Sequence, residues 1–230
     1  MYTMKEIIAS LPREKRKIDS IWINIFLRPV SFPISWLLLR FHLSPSVVSY
    51  ISAFICMAGG ILFSLPGNYQ LIGIGAILFN VFAVLDCVDG NMARVTGKAG
   101  PWGGWADAVT GYIAYTMVFF GTGMWIFWKT DYWPVLIIVG LTSSANLLTR
   151  VAFQMYKNIV GDSARKSVSL EKILANNTGI TGFLMPIVLI FHYIDSLPCM
   201  WGVVWFNAAF YGLGCAASLF KLGIKAVKNS

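Results

Sequence analysis

Charge is what this sequence has least of. Only 12% of its 230 residues are Asp, Glu, Lys or Arg, against 57% hydrophobic side chains, a ratio that excludes an ordinary water-soluble domain and points to lipid as the solvent. The basic excess gives a net charge of +8, but the bases are scattered between apolar runs instead of lining one continuous face, which argues against nucleic acid as a partner. Cysteine is sparse too. Cys56, Cys87, Cys199 and Cys215 form no CxxC pair, so neither a disulfide scaffold nor a thiolate metal site is expected, and they read as packing residues. The first twenty residues lack an apolar core and carry Glu6, Glu14 and Asp19, which rules out a cleavable signal within them. Internal repeats and low-complexity segments are missing, and the length leaves no room for a second soluble domain beside the apolar runs.

Those runs organise the chain. Ile21 to Leu43 is apolar but contains Arg28, Pro29, Pro33 and Arg40, charges too expensive for the depth of a bilayer. It is expected to be an interfacial amphipathic helix starting near Ser31 and Pro33, with Ile34, Trp36, Leu37 and Leu38 on its apolar side and Arg40 in water. Ser44 as N-cap and Pro45 at the first helical position open a first span, Ser46 to Leu65, closed by Pro66 and Gly67. Further spans are expected at Gln70 to Val95, Trp102 to Trp128, Tyr132 to Tyr156, Ile180 to Ile194 and Met200 to Leu222, with a polar loop and short helix between Lys157 and Gly179. The fold expected is therefore all-α and integral to the membrane: residues 1–43 form a cytoplasmic N-terminus and interfacial helix, and 44–230 a domain of six transmembrane helices.

Six crossings put both termini on one side, and the bases test that independently of the apolar pattern. All of the Lys and Arg residues fall on the terminal side except Lys129, in an opposite loop, and Arg150, inside the fourth span. The positive-inside rule then places both termini and the Asp86 to Lys98 region in the cytoplasm, in a multi-pass protein of the cell membrane.

Three of the ten acidic residues, Asp86, Asp89 and Asp107, sit in otherwise apolar helices, where an ionisable group is a functional hypothesis by default. Asp86 and Asp89 are spaced i, i+3 on one helix face, and Asp107 lies in the first turns of the next helix across a tight connection, so the three are expected to converge. Carboxylates so close repel one another unless a cation sits among them. Oxygen-only ligands with incomplete protein coordination suit Mg²⁺ or Mn²⁺, which keep positions open for phosphate oxygens. Gly90, Ala93 and Gly103 leave room for a flat nucleotide near the backbone, although small residues also serve plain helix packing in membranes. Arg94 can fork onto phosphate oxygens.

Together these residues read D-x-x-D-G-x-x-A-R, eight residues, then G-x-x-x-D. The string resembles the signature of the CDP-alcohol phosphotransferase family at Asp86, Asp89, Gly90, Ala93, Arg94, Gly103 and Asp107, and the likeness extends over nearly the whole chain from about residue 20. The resemblance implies divalent-metal-dependent transfer of a phospho-alcohol from a CDP-alcohol, such as CDP-diacylglycerol, to a lipid or small polar acceptor, with release of CMP. It also implies that the three aspartates are metal ligands, that Asp107 and Arg94 act in catalysis, and that the protein forms a homodimer among membrane lipids.

The family signature continues to a fourth aspartate, which helps bind metal and is the proposed general base; here that position is Gly111. Gly103, Asp107 and Gly111 are spaced i, i+4, i+8, so the missing carboxylate would have faced the same site. An alkoxide forms poorly near neutral pH without a base, and neither His42 nor His192 is placed to supply one. An acceptor that is already an anion, such as a phosphate oxygen, needs none. The alternatives are a degenerate relative that binds a CDP-alcohol without turnover, and a residue 111 that is not the natural one. Asn146 and Arg150, spaced i, i+4 on the fourth span, are candidate acceptor ligands, against the simpler reading that Arg150 reaches back to the interface. Trp102 and Trp105 flank the site.

Overall fold

The computed structural model describes residues 2–160 and 179–229, all of its regular elements being helical. Two short helices, α1 (Met4–Ala9) and α2 (Arg13–Ile18), come first. A capping box between Thr3 and Glu6 starts α1, and the Thr3 hydrogen bonds hold the exposed Glu6 carboxyl below its ordinary range. A π-turn, Ile23–Leu27, runs straight into α3 (Arg28–Arg40). Helical backbone therefore starts ahead of Ser31, since the π-turn and α3 are continuous and Pro29 and Pro33 both lie within that run. Ile34 and Leu38 of α3 pack with Val48, Val88 and Met92, while Phe32 joins Ile7 and Leu11. Arg40 is exposed, its guanidinium 3.8 Å from the Trp36 ring centroid.

Among the described residues, five helices are long and apolar enough to cross a membrane. They are α4 (Pro45–Phe63), α5 (Tyr69–Val95), α6 (Pro101–Thr130), α7 (Pro134–Val160) and the last helix, α9 (Leu197–Asn229). The α4 start is as expected: Ser44 caps it, its hydroxyl accepting from the Val47 amide at 3.3 Å, with Pro45 next. The region expected as the fifth span is shorter. A π-turn at Ile180–Leu184 precedes α8 (Met185–Tyr193), and the backbone at Gly182 leaves the helical region (φ −87°, ψ −133°). The resulting apolar helix, Gly182–Tyr193, falls below the ~20 residues that a full crossing needs. The expected basic loop with Arg165, Lys166 and Lys172 lies outside the described residues.

Packing between apolar helices in lipid depends on close approach, and glycines provide it. A Cβ at Gly75 of α5 would meet the Phe63 amide nitrogen at 2.5 Å and the Gly59 carbonyl at 2.6 Å, so α4 and α5 lie nearly backbone to backbone. Between α4 and α6, Gly60 and Gly121 instead receive side chains, those of Met117 and Phe63, and Gly123 seats Val139 of α7. Phe63, Phe79 and Phe82 fill the centre. On α7 the buried residues Val135, Val139, Thr142, Ser143 and Asn146 form one helical stripe, and on α9 Met200, Val204, Asn207 and Cys215 form a narrower one. At the end away from Asp86, the Trp125 indole donates to His192 Nδ1 at 3.1 Å, and His192 Nε2 contacts the Tyr69 carbonyl at 3.1 Å, while Lys129 pairs with Asp195.

Candidate active site

The last turns of α5 carry most of the motif, and α4 supports them. Asp89 is only 5% exposed, and Ser49 Oγ, one turn into α4, donates to its Oδ2 at 2.5 Å. Asp86, one turn earlier, is half-buried and lies within electrostatic reach of both Asp89 and Asp107. The turn that reverses the chain into α6 holds Gly97 at φ +66°, a left-handed conformation suited to glycine. Beyond it Asp107 is exposed, in the field of Lys15, Arg150 and Arg94.

The three aspartates share one end of the bundle, but among the described residues no three acidic, His or Cys side chains lie close enough to enclose an ion. α6 runs along α4 and α7 and touches α5 little, yet Asp107 stays within electrostatic reach of Asp86. The donor set nonetheless has the chemistry of a hard divalent cation's ligands, being all oxygen and all anionic, and among the described residues none of the three is in an ion pair.

The motif glycines differ from the packing glycines. A Cβ at Gly111 would meet nothing within 4 Å, and one at Gly103 only the Lys98 carbonyl at 3.9 Å. At Gly90 it would meet the tip of Arg94, 3.2 Å from Nη1. Close helix contact, the simpler account of small residues in a membrane protein, therefore explains Gly59, Gly75 and Gly123 but not Gly103 or Gly111, nor such open glycines outside the motif as Gly140 and Gly202. Ala93 is half-buried on the same helix.

Sequence reading missed the partners of Arg94. Its Nη2 donates to Asn91 Oδ1 at 2.7 Å, and Arg28 Nη1 donates to the same oxygen at 3.1 Å. Arg28 is 5% exposed and its Nη2 is ion-paired with Asp19 at 2.7 Å. A residue expected to lie at the interface as a topology signal is thus held inside the protein against the motif helix. Asn91 falls at an unspecified position of the motif, and the only available signal was an amide in an apolar helix.

Arg150 is half-buried, donates through Nε to Asn146 Oδ1 at 2.9 Å, and lies 4.3 Å from the Tyr115 ring centroid. Asn146 is buried, so the two form a fixed unit facing α6. Trp102 is 82% exposed and packs edge-on against Trp105, 6.5 Å between centroids.

Fold and site together define a polytopic helical protein with anionic side chains and an arginine gathered at one end of its bundle. The chain belongs to the CDP-alcohol phosphatidyltransferase family, whose profile matches residues 42–213. It is 28% identical over 117 residues to the phosphatidylinositol phosphate synthase of Streptomyces avermitilis, covering 51% of this chain and 47% of that one. It is 31% identical over 100 residues to the phosphatidylinositol phosphate synthase of Cutibacterium acnes, covering 40% and 44%. The chain spans about half the length of the curated relatives it matches.

Proposed function

We propose that the protein transfers a phospho-alcohol group from a CDP-alcohol, such as CDP-diacylglycerol, to an acceptor, releasing CMP. The observation that carries this reading is that Asp86, Asp89, Arg94 and Asp107 share one end of the bundle in a chain whose residues 42–213 match the family, with none of the three carboxylates in an ion pair among the described residues. Asp86, Asp89 and Asp107 would hold Mg²⁺ or Mn²⁺, which when bound supplies positive charge for the donor pyrophosphate. Arg94 adds a second positive charge, its guanidinium matched to phosphate oxygens, and Gly90, Ala93 and Gly103 keep the backbone approachable. The acceptor oxygen attacks the phosphorus that bears the alcohol, the anhydride bond to CMP breaks, and CMP leaves with the bonding electrons.

Gly111 provides no base, so the acceptor oxygen is taken to be anionic already. Asn146 and Arg150 are the residues proposed to hold it, their fixed geometry suiting an acidic oxygen group. The relatives' name, phosphatidylinositol phosphate synthase, places a phosphorylated polyol in the panel of acceptors to try.

The division into residues 1–43 and a six-span unit, 44–230, is part of the same reading. It is supported by exposed Ile25, Phe26, Val30 and Leu37 on the N-terminal helices, and by the apolar helix Gly182–Tyr193 as a short sixth crossing. Six crossings put the termini and the site in the cytoplasm of a cell-membrane protein. Lipid, or a second copy in a homodimer, covers exposed Trp205, Phe206, Leu213 and Phe220 of α9.

The test is chromatography of CMP after incubation of purified protein with CDP-diacylglycerol, Mg²⁺ or Mn²⁺, and a panel of hydroxyl and phosphate acceptors. CMP release supports transfer. Donor binding without CMP from any acceptor would instead support a binding protein that has lost turnover.

A further inference from the structure

Asn91 is 0% exposed and uses its whole hydrogen-bonding capacity. Its Oδ1 accepts from Arg28 and Arg94, and its Nδ2 donates to Ser31 Oγ at 3.0 Å and Ser35 Oγ at 3.2 Å. The amide orientation is fixed by its neighbours. Ser31 Oγ already donates to the Arg28 carbonyl and Ser35 Oγ to the Ser31 carbonyl, so both hydroxyls face Asn91 as acceptors. A flipped amide would turn its NH₂ toward two guanidinium groups.

The two arginines on that oxygen are not equivalent. Arg28 is paired with Asp19, whereas among the described residues Arg94 is in no ion pair, and its buried Nε has no hydrogen-bond partner. The motif helix thus presents one uncompensated guanidinium, held by a neutral amide that leaves its charge intact. The amide in turn is held by residues of the N-terminal segment, Arg28, Ser31 and Ser35.

We propose that Asn91 is a positioning residue that orients Arg94 toward the pyrophosphate of a CDP-linked donor, and that Asp19, Arg28, Ser31 and Ser35 form the N-terminal brace that holds Asn91. The inference rests on the function proposed above and adds residues 19–35 to the working parts of the site. A neutral amide suits this task because a carboxylate at 91 would neutralise Arg94, and an apolar residue would leave the guanidinium unheld.

The test is calorimetric titration of CDP, with Mg²⁺ present, into the detergent-solubilised full chain. Asn91→Leu should weaken CDP binding about tenfold, the worth of one hydrogen bond to a charged group. Asn91→Asp, which keeps the volume, should do the same. On an Arg94→Ala background neither change should have further effect, because Asn91 acts through Arg94. Equal CDP affinity in the Asn91 variants, or an equal loss on the Arg94→Ala background, overturns the inference and leaves the proposed function standing. If Asn91→Leu does not fold, the Asn91→Asp cycle decides. Failure of the unsubstituted protein to bind CDP removes the proposed function and this inference with it.

Discussion

Ser49 of α4 donates a 2.5 Å hydrogen bond to Asp89 of α5, joining the first long helix to the carboxylate site across a closely packed interface. The bond fixes one oxygen of a carboxylate proposed as a metal ligand. Ser49→Ala should therefore lower cation affinity about tenfold or more, as loss of a partner that orients a ligating group commonly does. Titration of Mn²⁺ in the presence of CDP measures it, and unchanged affinity would remove Ser49 from the site.

The two kinds of glycine give opposite expectations. Gly75→Ala drives a methyl into the Phe63 and Gly59 backbone and should destabilise the protein by about 1–3 kcal/mol, read as a lower melting temperature in detergent. Gly103→Ala has room for its methyl and gains helix propensity of up to about 1 kcal/mol, so stability should hold or rise while CDP affinity falls. Equal CDP affinity after Gly103→Ala would mean that the open space there is not used by the nucleotide.

Lys98 and Lys129 lie just before and near the end of α6, whose thirty residues rise about 45 Å. In a Cys199→Ser background, a cysteine at Lys98 should be labelled from the cytoplasm and one at Lys129 from outside. Labelling of both from one side would break the proposed topology.

How much of this was legible in the sequence follows from which forces act locally. The Ser44 and Pro45 start of α4 was readable because capping involves only neighbours, and the DxxDG spacing because i, i+3 residues share a face wherever a helix forms. The Arg28 to Asn91 bond joins residues far apart in sequence, and no periodicity announces it. The packing of α6 against α4 and α7 instead of α5 was equally hidden, since it depends on contacts between segments far apart in sequence. The short α8 follows from a backbone break at Gly182, a residue that membrane helices usually tolerate.

Gly111 is where substitution separates the readings of the acceptor. A Cβ at Gly111 enters open space, and Gly111→Asp adds a carboxylate one helical turn from Asp107. With an anionic acceptor, repulsion of about 1–4 kcal/mol at ~4 Å should slow CMP release tenfold or more. A gain of activity with hydroxyl acceptors would instead mark the protein as a base-lacking relative of hydroxyl-using enzymes.

The claim beneath all of these is that Asp86, Asp89 and Asp107 bind a divalent cation that bridges to a CDP-linked donor. Binding is independent of the acceptor's identity, so calorimetry of CDP with Mg²⁺ or Mn²⁺, with and without chelator, tests it most directly. CDP should bind only with the cation present, because three carboxylates otherwise repel the pyrophosphate, and Asp86→Asn should weaken that binding. Equal CDP affinity with and without chelator would contradict the account.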